Sequence, residues 1–180
     1  MKVATWNVNS IRTRLQIVKD WLQKHQVDVL CLQETKVQDH DFPRSPFEDL
    51  GYNVYISGQK SYNGVALFSL NPLTDVSCGF SPIMGEVGEL DEQKRVISGI
   101  ADGVRIVNLY VPNGSSVGSD KYVYKLAWLK MLRTYLQKLQ NQQPEICVCG
   151  DFNIALEDKD IYTNKGRDNH IMSSALEREA

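Results

Sequence analysis

The chain contains the stretch Val27-Asp28-Val29-Leu30-Cys31-Leu32, an apolar run that ends directly in the polar pair Gln33-Glu34. A short apolar run bounded by polar residues is typical of a buried strand. Upstream of it, residues 3–6 predict another short strand, and Ser10 is placed to cap a helix. That helix is indicated by apolar residues at helical spacing: Ile11, Leu15, Val18 and Leu22. The beginning of the chain therefore predicts a strand, a helix and a buried strand in succession.

The rest of the chain predicts more strands and one long helix. Turn residues at Gly58, Asn63-Gly64 and Asn71-Pro72 indicate antiparallel connections, and Asp102-Gly103 is a strong hairpin signal. Strands that mix with crossover helices predict a mixed-sheet α/β fold packed as layers, in one domain over residues 1–180. The predicted strands are 52–56, 65–69, 76–78, 95–101, 104–111 and 146–149. The predicted helix is 120–140, with Tyr122, Leu126, Leu129, Leu132, Leu136 and Leu139 on its apolar face.

Composition and charge exclude several classes of protein. Of the 180 residues, 42% are hydrophobic and 23% charged, which is ordinary globular composition rather than that of a disordered chain. Twenty basic residues against 22 acidic ones leave a net charge of −2, which argues against a stoichiometric DNA coat but allows an enzyme that visits DNA briefly.

The absence of targeting segments and the spacing of the cysteines predict the cellular compartment. The beginning of the chain lacks the apolar run of a signal peptide and no segment reaches membrane-spanning length, so we expect a cytoplasmic protein without a membrane partner. The four cysteines lack zinc-site spacing, and three of them lie in apolar runs. We therefore expect buried, reduced thiols at Cys31, Cys78, Cys147 and Cys149.

Polar residues follow four of the predicted strands at the point where each strand ends. Ligands of α/β sheets bind at the carboxyl ends of strands, so four such ends together indicate a site. Carboxylates and amides are hard oxygen ligands that suit Mg²⁺ or Mn²⁺ rather than zinc, and Mg²⁺ completes its shell with water and substrate phosphate. These ends therefore favour phosphoryl chemistry. Their candidate ligand residues are Asn7, Asn9, Glu34, Asp151 and Asn153.

Other catalytic and nucleotide-binding motifs are missing from the sequence. There is no GxxxxGK[ST] phosphate loop, no GxGxxG dinucleotide fingerprint and no GxSxG nucleophile elbow. His25, His40 and His170 fall in polar contexts, which favours surface positions over catalytic ones.

Six motifs follow one another along the chain. They are Thr5-Trp6-Asn7-Val8-Asn9-Ser10-Ile11-Arg12, Leu32-Gln33-Glu34-Thr35-Lys36, Tyr62-Asn63-Gly64-Val65-Ala66, Tyr110-Val111-Pro112-Asn113-Gly114, Tyr124-Lys125-Leu126-Ala127-Trp128-Leu129 and Cys149-Gly150-Asp151-Phe152-Asn153-Ile154-Ala155. In this order they resemble the exonuclease III type apurinic/apyrimidinic endonucleases of the endonuclease/exonuclease/phosphatase superfamily, and the resemblance runs along the whole chain. It implies a four-layer α/β sandwich of two mixed β-sheets flanked by helices, with the second half incomplete.

The resemblance also implies an activity and residue roles. It implies Mg²⁺-dependent hydrolysis of DNA phosphodiesters on the 5′ side of abasic sites and from 3′ ends, by a protein we expect to be a monomer acting on double-stranded DNA. Glu34 resembles the family's metal ligand, and Asn7 the neighbour that orders the metal site. Asp151 resembles the catalytic aspartate that handles a proton, Asn153 its partner that orients phosphate or water, and Tyr110 the tyrosine at the scissile phosphate. Asp151 and Asn153 are also candidate metal ligands.

Five further residues resemble family positions at the DNA face: Lys60, Arg95, Asn113, Gly114 and Lys125. For Lys60 and Arg95 the alternative is ordinary solvated surface, and for the loop at 113–119 a plain connector. Lys125 falls on the apolar stripe of the long helix, where it is either a snorkelling stem or a cation directed at DNA phosphate.

The sequence differs from the family pattern in two places. The family normally continues beyond the equivalent of Ala180 with motifs that complete its active site, so we expect a fragment with part of the catalytic set. Ser174-Ala175-Leu176-Glu177 matches a capping box that opens a helix with little chain left to use it. The smaller departure is Gln93-Lys94-Arg95, where the family usually has Glu-Gly-Arg. The alternatives are a catalytically dead DNA- or partner-binding module and a superfamily phosphatase that acts on a non-DNA phosphoester such as an inositol phosphate or phospholipid.

Overall fold

The structure is a computed structural model that describes residues 1–143, 145–162 and 170–180. Within these residues the strands form two four-stranded sheets, and helices flank them. The strands are β1 (Val3–Asn7), β2 (Val29–Gln33), β3 (Asn53–Ser57), β4 (Val65–Ser69), β5 (Thr74–Cys78), β6 (Val96–Ala101), β7 (Val104–Tyr110) and β8 (Ile146–Asp151). The α-helices are α1 (Ile11–His25), α2 (Ser45–Glu48), α3 (Ser81–Met84), α4 (Asp120–Gln142) and α5 (Ala175–Glu179).

The first sheet has the strand order β1-β2-β4-β3. Helix α1 crosses between β1 and β2, which makes this pair parallel and places Asn7 opposite Gln33 in the register. Strand β4 runs antiparallel to both β2 and β3. The ends of β1 and β2 therefore meet at one edge of the sheet.

The second sheet has the strand order β5-β6-β7-β8. Strands β6 and β7 form the predicted hairpin, in which Asp102 and Gly103 both have positive φ values, 49° and 83°. Helix α4 crosses between β7 and β8, so that pair is parallel and Tyr110 lies opposite Asp151. The second sheet thus repeats the parallel, strand-end geometry of the first.

Three apolar clusters hold the layers together. One packs α1 and α2 against the outer face of the first sheet, through residues such as Ile11, Leu30 and Phe47. Another packs α3 and α4 against the outer face of the second sheet, with Trp128 fully buried. A third lies between the two sheets. The predicted four-layer sandwich of two mixed sheets is confirmed.

A polar link lies in the middle of the apolar layer between the sheets. The Gln33 Nε2 amide of β2 donates to Asn108 Oδ1 of β7 at 2.7 Å, and Asn108 Nδ2 donates to the carbonyls of Leu32 and Ala66 at 2.9 Å. Gln33 and Asn108 are 1% and 0% exposed. Because a mispaired buried amide is costly, this link restricts how the two sheets can slide.

Several sequence-based expectations about local structure are corrected. Ser10 precedes α1 but makes no capping bond to the helix, since its φ of 86° turns it away from the extended conformation of a cap. The turn at Asn71-Pro72 is not a hairpin turn, because β5 pairs with β6 in the second sheet rather than with β4. All four cysteines are free, but only Cys31 is buried as expected: Cys147 and Cys149 are half-buried, and Cys78 is exposed on the edge strand β5.

The buried face of α4 also differs from the predicted one. Leu126 and Leu136 are only partly buried, whereas Trp128 and Tyr135 are fully buried against Phe80. Large aromatic side chains fill the space between α4 and the second sheet and so rotate the buried stripe of the helix.

The end of the described chain forms the helix that its capping box predicts. Ser174 accepts from the Glu177 backbone amide while Glu177 accepts from that of Ser174, and α5 follows. The expectation that this helix is left unused is wrong, since Glu177 is buried against α4. In the part of the chain that is described, no helix combines the length and apolarity that crossing a bilayer requires.

Candidate active site

The polar ends of β1, β2, β7 and β8 come together at one end of the sandwich, and the amide of Asn7 joins them. Asn7 Nδ2 donates to Glu34 Oε1 and to Asp151 Oδ2, both at 2.8 Å. Glu34 follows β2 of the first sheet, whereas Asp151 ends β8 of the second. A single amide therefore brings two carboxylates from different sheets onto one side chain, as the strand-end pattern predicts.

Glu34 is held by the chain on both sides of it. Its backbone has a φ of 54°, and the next two amides, Thr35 N and Lys36 N, donate to the carbonyls of Gly64 and Asn63. A Cβ on Gly64 would lie 2.2 Å from Thr35 Oγ1, so only glycine allows this approach. The Asn63-Gly64 motif thus supports the loop that carries the carboxylate.

Glu34 carries a negative charge under ordinary conditions. Burial by itself raises the pKa of this carboxyl, but hydrogen bonds from Asn7, Lys36 and Tyr110 outweigh it and hold the pKa below its usual value. Lys36 Nζ lies 2.9 Å from Glu34 Oε2 and also donates to Asn9 Oδ1. The carboxylate is 20% exposed, which leaves it accessible to a ligand.

Tyr110 stands next to Glu34 with its phenol protonated. Burial is the largest cause that raises the pKa of Tyr110 to about 12, and the charge of Glu34 adds to it. Arg95 lies over the ring, with its guanidinium carbon 4.6 Å from the ring centroid, and donates to the Tyr110 carbonyl at 3.1 Å. The phenol is therefore a neutral hydrogen-bond donor whose ring is fixed from behind.

Asp151 and Asn153 are connected through the chain between them. The Asn153 backbone amide donates to Asp151 Oδ1 at 3.0 Å, and Asn153 itself has a φ of 50°. Its side-chain Nδ2 donates to the Val111 carbonyl at 2.9 Å, while Asn113 Nδ2 donates to its Oδ1 at 3.4 Å. The loop after β7 and the loop after β8 are thus joined by two amide side chains.

The donor set of this site fits Mg²⁺. Glu34 and Asp151 offer carboxylate oxygens and Asn7, Asn9 and Asn153 offer amides, while the described residues contain no cluster of three or more His, Cys, Asp or Glu side chains. Two carboxylates with room for water and phosphate are what Mg²⁺ commonly takes from a protein, and a zinc site would need nitrogen or sulfur ligands.

A groove of about 550 Å³ opens beside this site. Amide side chains, two basic residues and two tyrosines line it. Its lining residues are Gln59, Tyr62, Asn63, Gln93, Arg95, Pro112, Asn113, Gly114, Ser115, Lys121 and Tyr124. Arg95 and Asn113 connect the groove to the site, because they contact Tyr110 and Asn153.

The five residues expected at a DNA face have different environments. Lys60 is exposed, and Asn113 and Gly114 line the groove. Arg95 also lines it, but it is only 9% exposed and contacts the Tyr110 ring, so a merely solvated surface position is wrong for it. Lys125 is 0% exposed and pairs with Glu177, which contradicts both a direct phosphate contact and a snorkelling stem.

Sequence reasoning missed two basic side chains near the carboxylates. Lys36 contacts Glu34, and Lys121 lines the groove from the first turn of α4. Lys36 could have been found because it lies two residues after Glu34 inside a quoted motif, whereas Lys121 carries no motif signal.

Comparisons with known proteins agree with this geometry. Residues 4–178 match the Endonuclease/Exonuclease/phosphatase family. An exodeoxyribonuclease of Bacillus subtilis is 34% identical over 100% of this chain and 69% of its own length. Exodeoxyribonuclease III of Haemophilus influenzae is 35% identical over 89% of this chain and 60% of its own length. The chain thus spans between three fifths and about two thirds of these relatives.

Solved structures share the fold over the same part of the molecule. An AP endonuclease from Archaeoglobus fulgidus is 41% identical with a TM-score of 0.91, over 99% of this chain and 67% of that protein. A 3′ phosphatase from Neisseria, solved with a product DNA hairpin, is 35% identical with a TM-score of 0.92, over 99% of this chain and 68% of that protein. On the match over residues 4–178, together with the shared fold, the chain belongs to the endonuclease/exonuclease/phosphatase family.

Proposed function

We propose that this chain is a Mg²⁺-dependent DNA-repair phosphodiesterase of exonuclease III type, which cleaves DNA 5′ of abasic sites and trims 3′ ends. The observation that carries the proposal is the Asn7 amide that joins Glu34 and Asp151 from two sheets, beside the protonated phenol of Tyr110. This arrangement brings together oxygen ligands for a cation, a carboxylate that can accept a proton, and a phenol that can donate a hydrogen bond to a phosphate oxygen. Phosphodiester hydrolysis needs all three.

DNA as the substrate is supported by the relatives and by the groove. The relatives are named exodeoxyribonucleases, and the Neisseria 3′ phosphatase was solved with product DNA. The groove beside the carboxylates carries Arg95 and Lys121 along with amides and tyrosines, a lining that suits a sugar-phosphate backbone. We propose double-stranded DNA with an abasic site or a 3′ end as the partner of a monomer.

We propose a division of roles among the site residues. Glu34 would hold the Mg²⁺, with Asn7, Asp151 and Asn153 as its neighbours or further ligands, and the ion would neutralise charge that develops on the phosphate and the leaving oxygen. Tyr110, whose phenol donates to Glu34 in the structure, would turn its hydrogen to a phosphate oxygen when the substrate is bound. Asp151 accepts or returns the proton that the reaction moves, and Asn153 orients the phosphate or the attacking water.

The test is incision of a duplex that carries one abasic-site analogue, in the presence of Mg²⁺. We expect incision 5′ of the analogue by the chain or, since we expect a fragment with part of the catalytic set, by the same chain extended with a family-type C-terminal segment. In whichever of the two is active, Glu34→Gln should lose at least about a hundredfold in rate, since the substitution removes a charged ligand. Glu48→Gln is the matched control, because it makes the same change on an exposed carboxylate of α2 and should leave the rate unaltered.

Other outcomes would contradict the proposal in different ways. Turnover of an inositol phosphate or phospholipid in preference to abasic DNA would favour a superfamily phosphatase. DNA binding without Mg²⁺ and without turnover would favour a catalytically dead binding module. Full incision by Glu34→Gln would remove this carboxylate from the chemistry.

A further inference from the structure

A lysine is completely buried next to the proposed site, and none of the proposed catalytic roles uses it. Lys125 lies on the second turn of α4 with a side chain that is 0% exposed. Moving an unpaired ammonium group out of water is costly, so a lysine in this position needs compensating partners. Its partners therefore indicate what this side chain does.

Two of these partners are backbone carbonyls in the loops that carry site amides. Lys125 Nζ donates to the Asn153 carbonyl at 2.7 Å and to the Asn113 carbonyl at 3.3 Å. These are the residues whose side chains meet, with Asn113 Nδ2 donating to Asn153 Oδ1. One ammonium group thus ties the loop after β7 to the loop after β8 from beneath.

The third partner is the carboxylate of Glu177, which lies 2.5 Å from Lys125 Nζ. Glu177 is itself saturated: it accepts from the Met172 and Ser174 amides and from the Ser174 hydroxyl. Burial by itself raises the pKa of Glu177, but these bonds and Lys125 outweigh it and hold the pKa below its ordinary value. Helix α5 therefore supplies Lys125 with a carboxylate partner.

The packing around Lys125 leaves little room for the loops to move. Gly114, directly after Asn113, has a φ of 88°, and a Cβ there would lie 3.0 Å from Lys125 Cδ and 2.8 Å from Ile171 Cδ1. The glycine lets the loop rest on the lysine stem and on the segment that leads into α5. The lysine thus acts on the loops through packing as well as through hydrogen bonds.

We propose that Lys125, held by Glu177, is a positioning residue that fixes Asn113 and Asn153 for the reacting phosphate. The inference rests on the proposed function, because it assigns a purpose to the placement of Asn153. Displacing a group that positions the substrate by about 1 Å costs roughly ten- to a hundredfold in reaction rate. The simpler alternative is that the pair only docks α5 onto α4.

Single substitutions do not separate these two alternatives. Lys125→Met leaves Glu177 as an uncompensated buried charge, which is strongly destabilising whatever the pair does. The double variant Lys125→Met/Glu177→Gln removes both charges and keeps long side chains in both places, since methionine adapts to irregular space. It loses the donor for the Asn113 and Asn153 carbonyls and also the ion pair between α4 and α5, so a control that weakens only the docking of α5 is needed beside it.

The matched control is Tyr122→Phe. The Tyr122 hydroxyl is 2.7 Å from Ser174 Oγ in a buried hydrogen bond, and it lies one turn from Lys125 on the same face of α4. The substitution loosens the docking of α5 without removing a bond to either loop carbonyl. A role in docking alone predicts similar behaviour of the control and of the double variant.

The experiment measures amide hydrogen exchange at residues 111–115 and 151–155 together with steady-state incision of abasic duplex. For the double variant we expect exchange at these loops to accelerate at least about tenfold, with β6 and β7 unchanged, and kcat to fall roughly ten- to a hundredfold with KM nearly constant. Tyr122→Phe should change neither loop exchange nor kcat by more than about threefold.

The outcomes separate this inference from the proposed function. Wild-type loop protection and kcat in the double variant would overturn the positioning role. Loss of loop protection in both the double variant and Tyr122→Phe would assign the pair to docking of α5. No incision of DNA by either the wild-type chain or its C-terminally extended form would overturn the proposed function, while the exchange measurement would still decide whether Lys125 fixes the two loops.

Discussion

Two polar bridges connect the two sheets within a few residues of each other, and they have opposite characters. The closed bridge is Gln33 with Asn108, in the layer between the sheets. The open bridge is Asn7 with Glu34 and Asp151, at the strand ends. Gln33 and Glu34 are neighbours in sequence, yet the first is 1% exposed and the second retains an accessible carboxylate.

The difference between the bridges is one of saturation. In the closed bridge, Gln33 Nε2 also donates to Thr5 Oγ1 and the Cys31 carbonyl, and both hydrogens of Asn108 Nδ2 are used. In the open bridge the two partners of Asn7 are half-buried carboxyl groups at the strand ends, so their remaining lone pairs are available to a ligand. A saturated buried network specifies structure, whereas an unsaturated one at a strand end can bind and react.

The largest effect should come from Asp151→Asn in the open bridge. The substitution keeps the shape of the side chain but removes its charge and its capacity to exchange a proton, so incision should slow by about 10²- to 10⁴-fold. Stability should change little, because the site is partly open to solvent. Single-turnover incision and urea unfolding measure the two quantities, and an unchanged rate would remove Asp151 from proton transfer.

Asn108→Leu in the closed bridge should show the reverse pattern. It removes the donor to the Leu32 and Ala66 carbonyls and one of the acceptors of Gln33 Nε2 in an apolar layer, so the free energy of unfolding should drop by about 2 kcal/mol. Asn141→Leu is the control, since Asn141 is exposed at the end of α4 and its loss should cost under about 0.5 kcal/mol. Both quantities come from urea unfolding, and equal losses in the two variants would show that the closed bridge contributes nothing specific.

The smallest effect should be in how the free energy of unfolding depends on pH. The buried Lys125–Glu177 pair contains a carboxyl group that titrates, whereas the closed bridge consists of neutral amides. The pKa of Glu177 is held below its ordinary value in the folded chain, so its contribution is present above the unfolded-state pKa and is lost as pH falls through the folded-state pKa. Unfolding measured from about pH 6 to pH 3 should therefore give a shallower loss in Glu177→Gln than in the unsubstituted chain.

Asn108→Leu is the control for this measurement. It removes no titrating group, so its stability should run parallel to that of the unsubstituted chain across the same pH range. If the curve for Glu177→Gln were also parallel, the pKa of Glu177 would not be lowered by folding, and the prediction would be wrong.

The strands and their polar ends could be predicted because their signals are local. Apolar runs that stop at Asn7, Glu34 and Asp151 encode both the strand and the place where it ends, and Asp102-Gly103 encodes a turn in two residues. The closed bridge could not be predicted in the same way. Asn108 lies inside an apolar run, and its meaning depends on Gln33, 75 residues away in the chain.

Helix α4 shows the same limit of local patterns. Its helical period placed Lys125 on the apolar stripe, but periodicity cannot supply the partner that makes a buried lysine tolerable. That partner, Glu177, lies 52 residues further along the chain. The capping box predicted α5, and only the packing against α4 revealed its use.

By itself, the sequence determined a layered, mixed-sheet α/β fold and the set of polar residues that end its strands, because hydrophobic patterning and turn chemistry act over a few neighbouring residues. Only the tertiary structure decided which polar groups have all their hydrogen bonds satisfied in the interior and which remain accessible to a ligand. It placed Asn7 between two carboxylates and turned Arg95 and Lys125 inward. Saturation and charge compensation depend on side chains that meet across sheets and helices, and no local pattern encodes those meetings.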